Sequence, residues 1–248
     1  MNDPLPLEAR RAEWGTPLVI ANHKANKTWE DLSIWLKEVS QEAANFSGSV
    51  ILCPSGPFLA LSSAEIKSKN IPIKLGAQDI SKFTEGPYTG EFAASQIKKL
   101  VNFAIIGHSE RSRYFGETDD EVIRKLELCF ESQLTPIFCV RDANHLDSYL
   151  KKSELIKERN HQIIFVYEPP AAISSQKDYK PDTVENIGRE AASMIQLLGS
   201  TATIIYGGSI NSENVKIIFS VENIKGGLIG QASLDSASFT AIIKNASY

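Results

Sequence analysis

Cysteine is scarce in this 248-residue chain: Cys53, Cys129 and Cys139 stand far apart and form no CxxC pair. Neither a disulfide framework nor a thiolate zinc site organises such a sequence, and a reducing compartment is expected. Long apolar runs are missing too. No stretch reaches the roughly 20 residues that a membrane-crossing helix needs. The opening MNDPLPLEARRAEWG holds no apolar segment for a secretion signal, so a cytoplasmic protein is expected. Positive charge is not in excess either: 26 Lys and Arg stand against 30 Asp and Glu, a formal net charge of -4. Nucleic acid and membrane surfaces are therefore not expected partners, and any anion site has to be local, built from a few side chains or backbone N–H groups.

Pro/Ser-rich linkers and low-complexity tracts are also absent, which argues against a division into domains. What is present is alternation. Eight short, nearly continuous apolar runs read as strands: PLVIAN (17–22), SVILCP (49–54), IKLGAQ (73–78), FAIIGH (103–108), TPIFCV (135–140), QIIFVYE (162–168), TIIYGG (203–208) and GGLIG (226–230). Strands without polar alternation are covered on both faces, as in a parallel sheet. Segments of helical periodicity lie between and after them, over 29–44, 58–69, 93–101, 119–132, 145–159, 183–198, 212–219 and 238–245. An open doubly wound sheet usually carries a Gly-rich turn after its first strand, whereas this chain reads ANHKANK there. The expectation is an α/β fold, a single-domain (β/α)8 barrel of eight parallel strands over residues 1–248, with 1–15 an N-terminal extension.

In such a barrel the chemistry sits at the carboxyl ends of the strands. Those ends carry Asn22 and Lys24, Gln78, His108, Glu168, Ser209 and Gly230. His108 follows AIIG and precedes SERSRYF, which reads as the first turn of a helix. An imidazole there lies where the helix dipole opposes positive charge, and an uncharged ring can polarise a carbonyl and shuttle protons. Glu168 ends five apolar or aromatic residues, a costly place for a carboxylate without a partner or a task. Asn22 and Lys24, two residues apart, point the same way and suit negative charge developing on an oxygen. Glu110 and Arg111 read as a supporting ion network. YGGS (206–209) and GGLIGQAS (226–233) follow the seventh and eighth strands, where barrels often hold phosphate on backbone N–H groups. The 14 residues PPAAISSQKDYKPD (169–182) exceed an idle loop and suit a lid. Each feature also has a plainer explanation: a structural histidine, a strand end meeting solvent, polar residues entering a loop, two tight turns. His23, His145 and His161 receive only that plainer explanation.

Taken together and in this order, NHK, GPYTGE, GHSER, YEPP, YGGS and GLIGQASL resemble the triosephosphate isomerase family over essentially the whole chain after the extension. The resemblance implies interconversion of dihydroxyacetone phosphate and D-glyceraldehyde 3-phosphate in glycolysis and gluconeogenesis, with no cofactor and no metal. It implies Glu168 as base, neutral His108 as electrophile, and Lys24 with Asn22 stabilising an enediolate. Ser174, Ser209, Gly230 and Gln231 would hold the phosphate, with Glu110 and Tyr206 in support. GPYTGE resembles the loop whose tip, near Tyr88 and Thr89, enters a partner subunit, so a homodimer is expected. The chain departs from the family pattern at His23, an aromatic position, and in the lid, with Ala171 for Trp and Ser174 and Gln176 for Gly. It departs again at Gln231, where a second Gly is usual, and at VRDANH (140–145), in a shortened stretch like that of archaeal members that associate beyond a dimer. Another sugar-phosphate barrel enzyme and a catalytically silent barrel are the alternatives.

Overall fold

A computed structural model describes residues 14–169, 172 and 182–246. Eight parallel strands close into a barrel in sequence order: β1 (Leu18–Asn22), β2 (Ser49–Cys53), β3 (Lys74–Ala77), β4 (Phe103–Ile106), β5 (Thr135–Val140), β6 (Ile164–Tyr167), β7 (Thr203–Tyr206) and β8 (Ile224–Ile229). β1 pairs with both β2 and β8, which completes the ring. Every expected strand is present, and β8 begins at Ile224, ahead of the double glycine.

The continuous apolar character of these strands has a two-sided cause. Successive side chains alternate between faces. Leu18 and Ile20 of β1, Ile51 and Cys53 of β2, Ile105 of β4, Ile137 and Cys139 of β5 and Ile164 and Val166 of β6 fill the barrel interior. Their neighbours Val19, Ala21, Leu52, Ala104, Phe138 and Phe165 pack outward under the helices. Trp14, at the end of the expected N-terminal extension, is 4% exposed and belongs to the interior cluster. Its ring meets Phe103 edge-on at 6.3 Å, beside the first residues of β1 and β4, so it closes the barrel floor.

Among the described residues the helices are α1 (Trp29–Asn45), α2 (Leu59–Ser68), α3 (Ala94–Ile97), α4 (Ser109–Phe115), α5 (Asp119–Glu131), α6 (Ala143–Lys152), α7 (Leu155–Glu158), α8 (Val184–Leu198), α9 (Val215–Phe219) and α10 (Ser236–Asn245). α1 buries Leu32, Trp35, Leu36, Val39 and Ala43, one stripe at helical spacing, and starts on a Thr28–Asp31 capping box. α5 starts on a second such box, Thr118 with Glu121. The expected helix over 93–101 is a single turn, because the N–H groups of Leu100 and Val101 both return to the Ile97 carbonyl and close the chain. The expected helix over 145–159 starts earlier, capped by Asp142, and is broken where Ser153 turns extended (φ -146°, ψ 113°). No described helix is long and apolar enough to cross a membrane.

Phe138 is fully buried and contacts Tyr149 and Phe165 in edge-on arrangements, at centroid distances of 4.9 and 6.0 Å. Replacing it with Ala leaves a cavity between β5, β6 and α6, so urea unfolding of Phe138→Ala is expected to show a loss of about 3–5 kcal/mol. A loss below about 1 kcal/mol would mean that the outer layer closes up around the missing ring.

Candidate active site

Parallel closure brings the carboxyl ends of all eight strands to one mouth. A cleft opens there, lined by Asn22 and Lys24 after β1, His108 after β4 and Glu168 after β6. Gly207, Gly208, Ser209 and Ile210 after β7, with Gly230, Gln231 and Ala232 after β8, complete its wall. Residues separated by up to 210 positions in the chain, Asn22 and Ala232, thus face a single space.

Gly107 follows β4 with φ 69°, a left-handed value, and a Cβ there would lie 3.1 Å from the Cys139 carbonyl. Glycine makes this turn without strain, and the next residue, His108, becomes the N-cap of α4. The Glu110 N–H donates to His108 Nδ1 at 3.2 Å. A nitrogen that accepts carries no proton, so the bond assigns the proton of this 7% exposed ring to Nε2. Nε2 lies 3.1 Å from Glu168 Oε1.

Glu168 is only 2% exposed. Its carboxylate accepts from the Ser109 N–H and the Ser109 hydroxyl, each at 3.0 Å. These two donors from Ser109, with His108 Nε2 close by, offset the desolvation that a buried carboxylate suffers. Cys139, at the inner face of β5, sits beneath it: burial, and then the nearby Glu168 carboxylate, push its thiol well up, so it stays protonated. Ser109 is a functional contact that the strand-end rule passes over, because the rule counts the last residue of a strand and Ser109 already belongs to α4. The signal was its place in GHSER beside His108.

Lys24 Nζ pairs with Glu110 Oε1 at 2.8 Å. Arg111 Nε lies 3.1 Å from Asp79 Oδ2, and Asp79 also pairs with the buried Lys125 at 2.6 Å. Glu110 and Arg111 are both ion-paired but in separate groups, Glu110 with Lys24 at the cleft and Arg111 with Asp79 and Glu117 away from it. Asn22, 5% exposed, accepts from the Lys24 N–H at 3.1 Å. The Tyr206 hydroxyl accepts from the Asp182 N–H at 3.0 Å, and Ser209 Oγ donates to the Ala172 carbonyl at 2.9 Å. Ser174, Ala171 and Gln176 lie outside the described residues. The cleft can hold a small anion between Lys24 and the glycine turns while offering one carboxylate, one N–H donor and one cation to the same few atoms.

The model of the family described as triosephosphate isomerase matches residues 17–246. The chain belongs to the triosephosphate isomerase family. It is similar to the triosephosphate isomerase of Dictyoglomus turgidum, with 33% identity over 247 residues, 92% of this chain and 98% of that one. The enzyme of Clostridium botulinum (strain Langeland) is 34% identical over 246 residues, with the same shares covered. The enzyme of Thermus thermophilus is 31% identical, covering 92% and 97%. In fold, the chain matches the crystal structure of triosephosphate isomerase from Bartonella henselae with a TM-score of 0.79 at 24% identity, over 93% of this chain and 98% of that one.

His23 departs from the family's aromatic at this point. Its ring is 1% exposed, stacks edge-on against Trp35 at 4.7 Å, and neither nitrogen makes a hydrogen bond of good geometry. Burial first, then the Lys27 charge, hold its pKa down to about 3, against a small upward pull from the Ser233 backbone that already accepts from the Trp35 indole. The unfolded chain takes up a proton as pH falls through about 6.5, and the folded chain refuses it until about 3. Stability is therefore complete above pH 6.5 and lost on acidification across that window. Unfolding free energies measured between pH 7 and 4 are expected to fall more steeply for the natural chain than for His23→Phe. Equal slopes would show that His23 does not titrate with unfolding.

Proposed function

We propose that this chain interconverts dihydroxyacetone phosphate and D-glyceraldehyde 3-phosphate through an enediolate. The observation that carries the reading is the meeting of Lys24, His108 and Glu168 around one cleft, with His108 Nε2 3.1 Å from the Glu168 carboxylate. Membership of the triosephosphate isomerase family supports the same substrate pair.

In this reading the phosphate rests on backbone N–H groups at Ser209, Gly230 and Gln231, with Ser174 as a further contact. Glu168 leaves Ser109 and takes the proton from the carbon next to the carbonyl. The C–H electron pair forms the C=C bond of the enediolate while the carbonyl π pair moves onto oxygen, where His108 Nε2–H donates. Lys24 and Asn22 oppose the charge that builds up there. Glu168 then returns the proton to the neighbouring carbon and His108 recovers one from the other oxygen, so no atom is gained or lost. An uncharged imidazole suits both oxygens because it gives one proton and regains another. A glycolytic and gluconeogenic role in the cytoplasm belongs to the same proposal, and all three cysteines are buried free thiols, which suits a reducing compartment.

A homodimer is part of the proposal. Phe83 and Tyr88 stack at 4.0 Å with an interplanar angle of 7°, which pre-forms the loop carrying Tyr88 and Thr89. Tyr88, Thr89 and Phe115 border one hollow with Arg111, and Tyr88 and Phe115 are 38% and 69% exposed. Large apolar side chains left in water on one face suit a partner.

Purified protein is expected to turn over glyceraldehyde 3-phosphate. Glu168→Asp and His108→Gln should each lower kcat/KM by at least about 10²-fold, and near-natural rates in both would remove the assigned roles. Sedimentation at micromolar concentration is expected to give a dimer, and Tyr88→Asp a monomer. A natural chain that sediments as a monomer would sink the dimer.

A further inference from the structure

Lys24 has a φ of 52°, in the left-handed region that residues other than glycine rarely enter. Such a conformation persists only where its surroundings over-determine it. The Lys24 carbonyl accepts two side-chain hydrogen bonds, from Ser55 Oγ and from Gln78 Nε2, both at 2.8 Å. These occupy both lone pairs of that oxygen. The second N–H of the Gln78 amide donates to the Cys53 carbonyl at 2.9 Å, which also receives the His23 N–H at 3.1 Å. Both neighbours of the amide nitrogen are acceptors, so only one orientation of the amide makes both bonds. On its other side, the Lys24 N–H is turned onto Asn22 Oδ1.

Ser55 comes two residues after β2 and Gln78 directly after β3. Two strand ends therefore grip the backbone of the residue whose ammonium lies against Gly230 and Glu110. Without that grip a lysine relaxes to negative φ, which swings the Cα–Cβ bond and carries Nζ out of the cleft. Gln78 is the strand-end residue that the proposed reaction leaves without a task, and Ser55 carries no family motif quoted above.

We infer that Ser55 and Gln78 are positioning residues that hold Lys24 in its left-handed backbone and so aim its ammonium into the cleft. They touch no substrate. Their effect on turnover rests on the reading of Lys24 as the group that stabilises the enediolate, whereas their effect on the backbone does not.

Ser55→Ala and Gln78→Met are each expected to lower kcat/KM for glyceraldehyde 3-phosphate by about 5- to 30-fold, the range for the one hydrogen bond that Ser55 makes and the two that Gln78 makes. Inhibition by 2-phosphoglycolate should weaken in step, and Ser55→Thr, which keeps the hydroxyl, should restore most of the activity. In a Lys24→Met background the same two changes should cost less than about two-fold, because nothing is left to aim. Full activity in both single variants, or an undiminished loss in the Lys24→Met background, would overturn the inference. Should Lys24→Met itself turn over normally, the proposed role of Lys24 fails, and the clamp is then read from a crystal structure of Ser55→Ala/Gln78→Met. Departure of residue 24 from positive φ supports the clamp, and an unchanged φ overturns it.

Discussion

Closure of the sheet is the constraint on which everything else in this protein depends. Eight parallel strands that return to their own first member leave no edge, and they send all eight carboxyl ends to the same mouth. The closure also explains the composition of the strands, since both faces of each are covered. Leu18 and Ile20 belong to the interior of the barrel while Val19 and Ala21 belong to the outer layer under the helices. A single-residue slip in β1 would exchange those two sets and would turn Asn22 away from the cleft.

At the mouth, polar groups are satisfied largely by one another. Glu168 is held by Ser109 and faces His108; His108 is held by the Glu110 N–H; the Glu110 carboxylate pairs with Lys24; and the Lys24 backbone is held by Asn22, Ser55 and Gln78. The chain of contacts crosses strands β1, β2, β3, β4 and β6. Such a network keeps each group placed before any ligand arrives, which is the condition for electrostatic stabilisation without reorganisation.

Outside this network the chain accepts one costly choice. His23 occupies an interior site between two residues of the cleft with no good partner for either ring nitrogen, and burial against Trp35, with the Lys27 charge nearby, forces it to stay neutral. An imidazole here packs like an aromatic ring while keeping polar atoms that an aromatic hydrocarbon lacks. The price appears in acid, where the unfolded state alone can take up the proton.

The strands were legible because a segment covered on both faces leaves an unbroken apolar run, a signal that survives without knowledge of neighbours. Asn22, Lys24, His108 and Glu168 were legible by position, since each follows such a run. Helix lengths were less legible: the one-turn Ala94–Ile97 and the break at Ser153 depend on where the chain must next enter the barrel, not on periodicity. Residue identity thus determined the eight-fold alternation, the covered strands and the set of groups at their ends. Only the tertiary structure decided that Ser109 meets Glu168 across 59 residues, that Ser55 and Gln78 meet on the Lys24 carbonyl across 31 and 54, and that Trp14 closes the barrel floor. Those contacts join residues distant in sequence through hydrogen bonds and packing a few ångströms long, and such short-range forces leave no periodic trace along the chain.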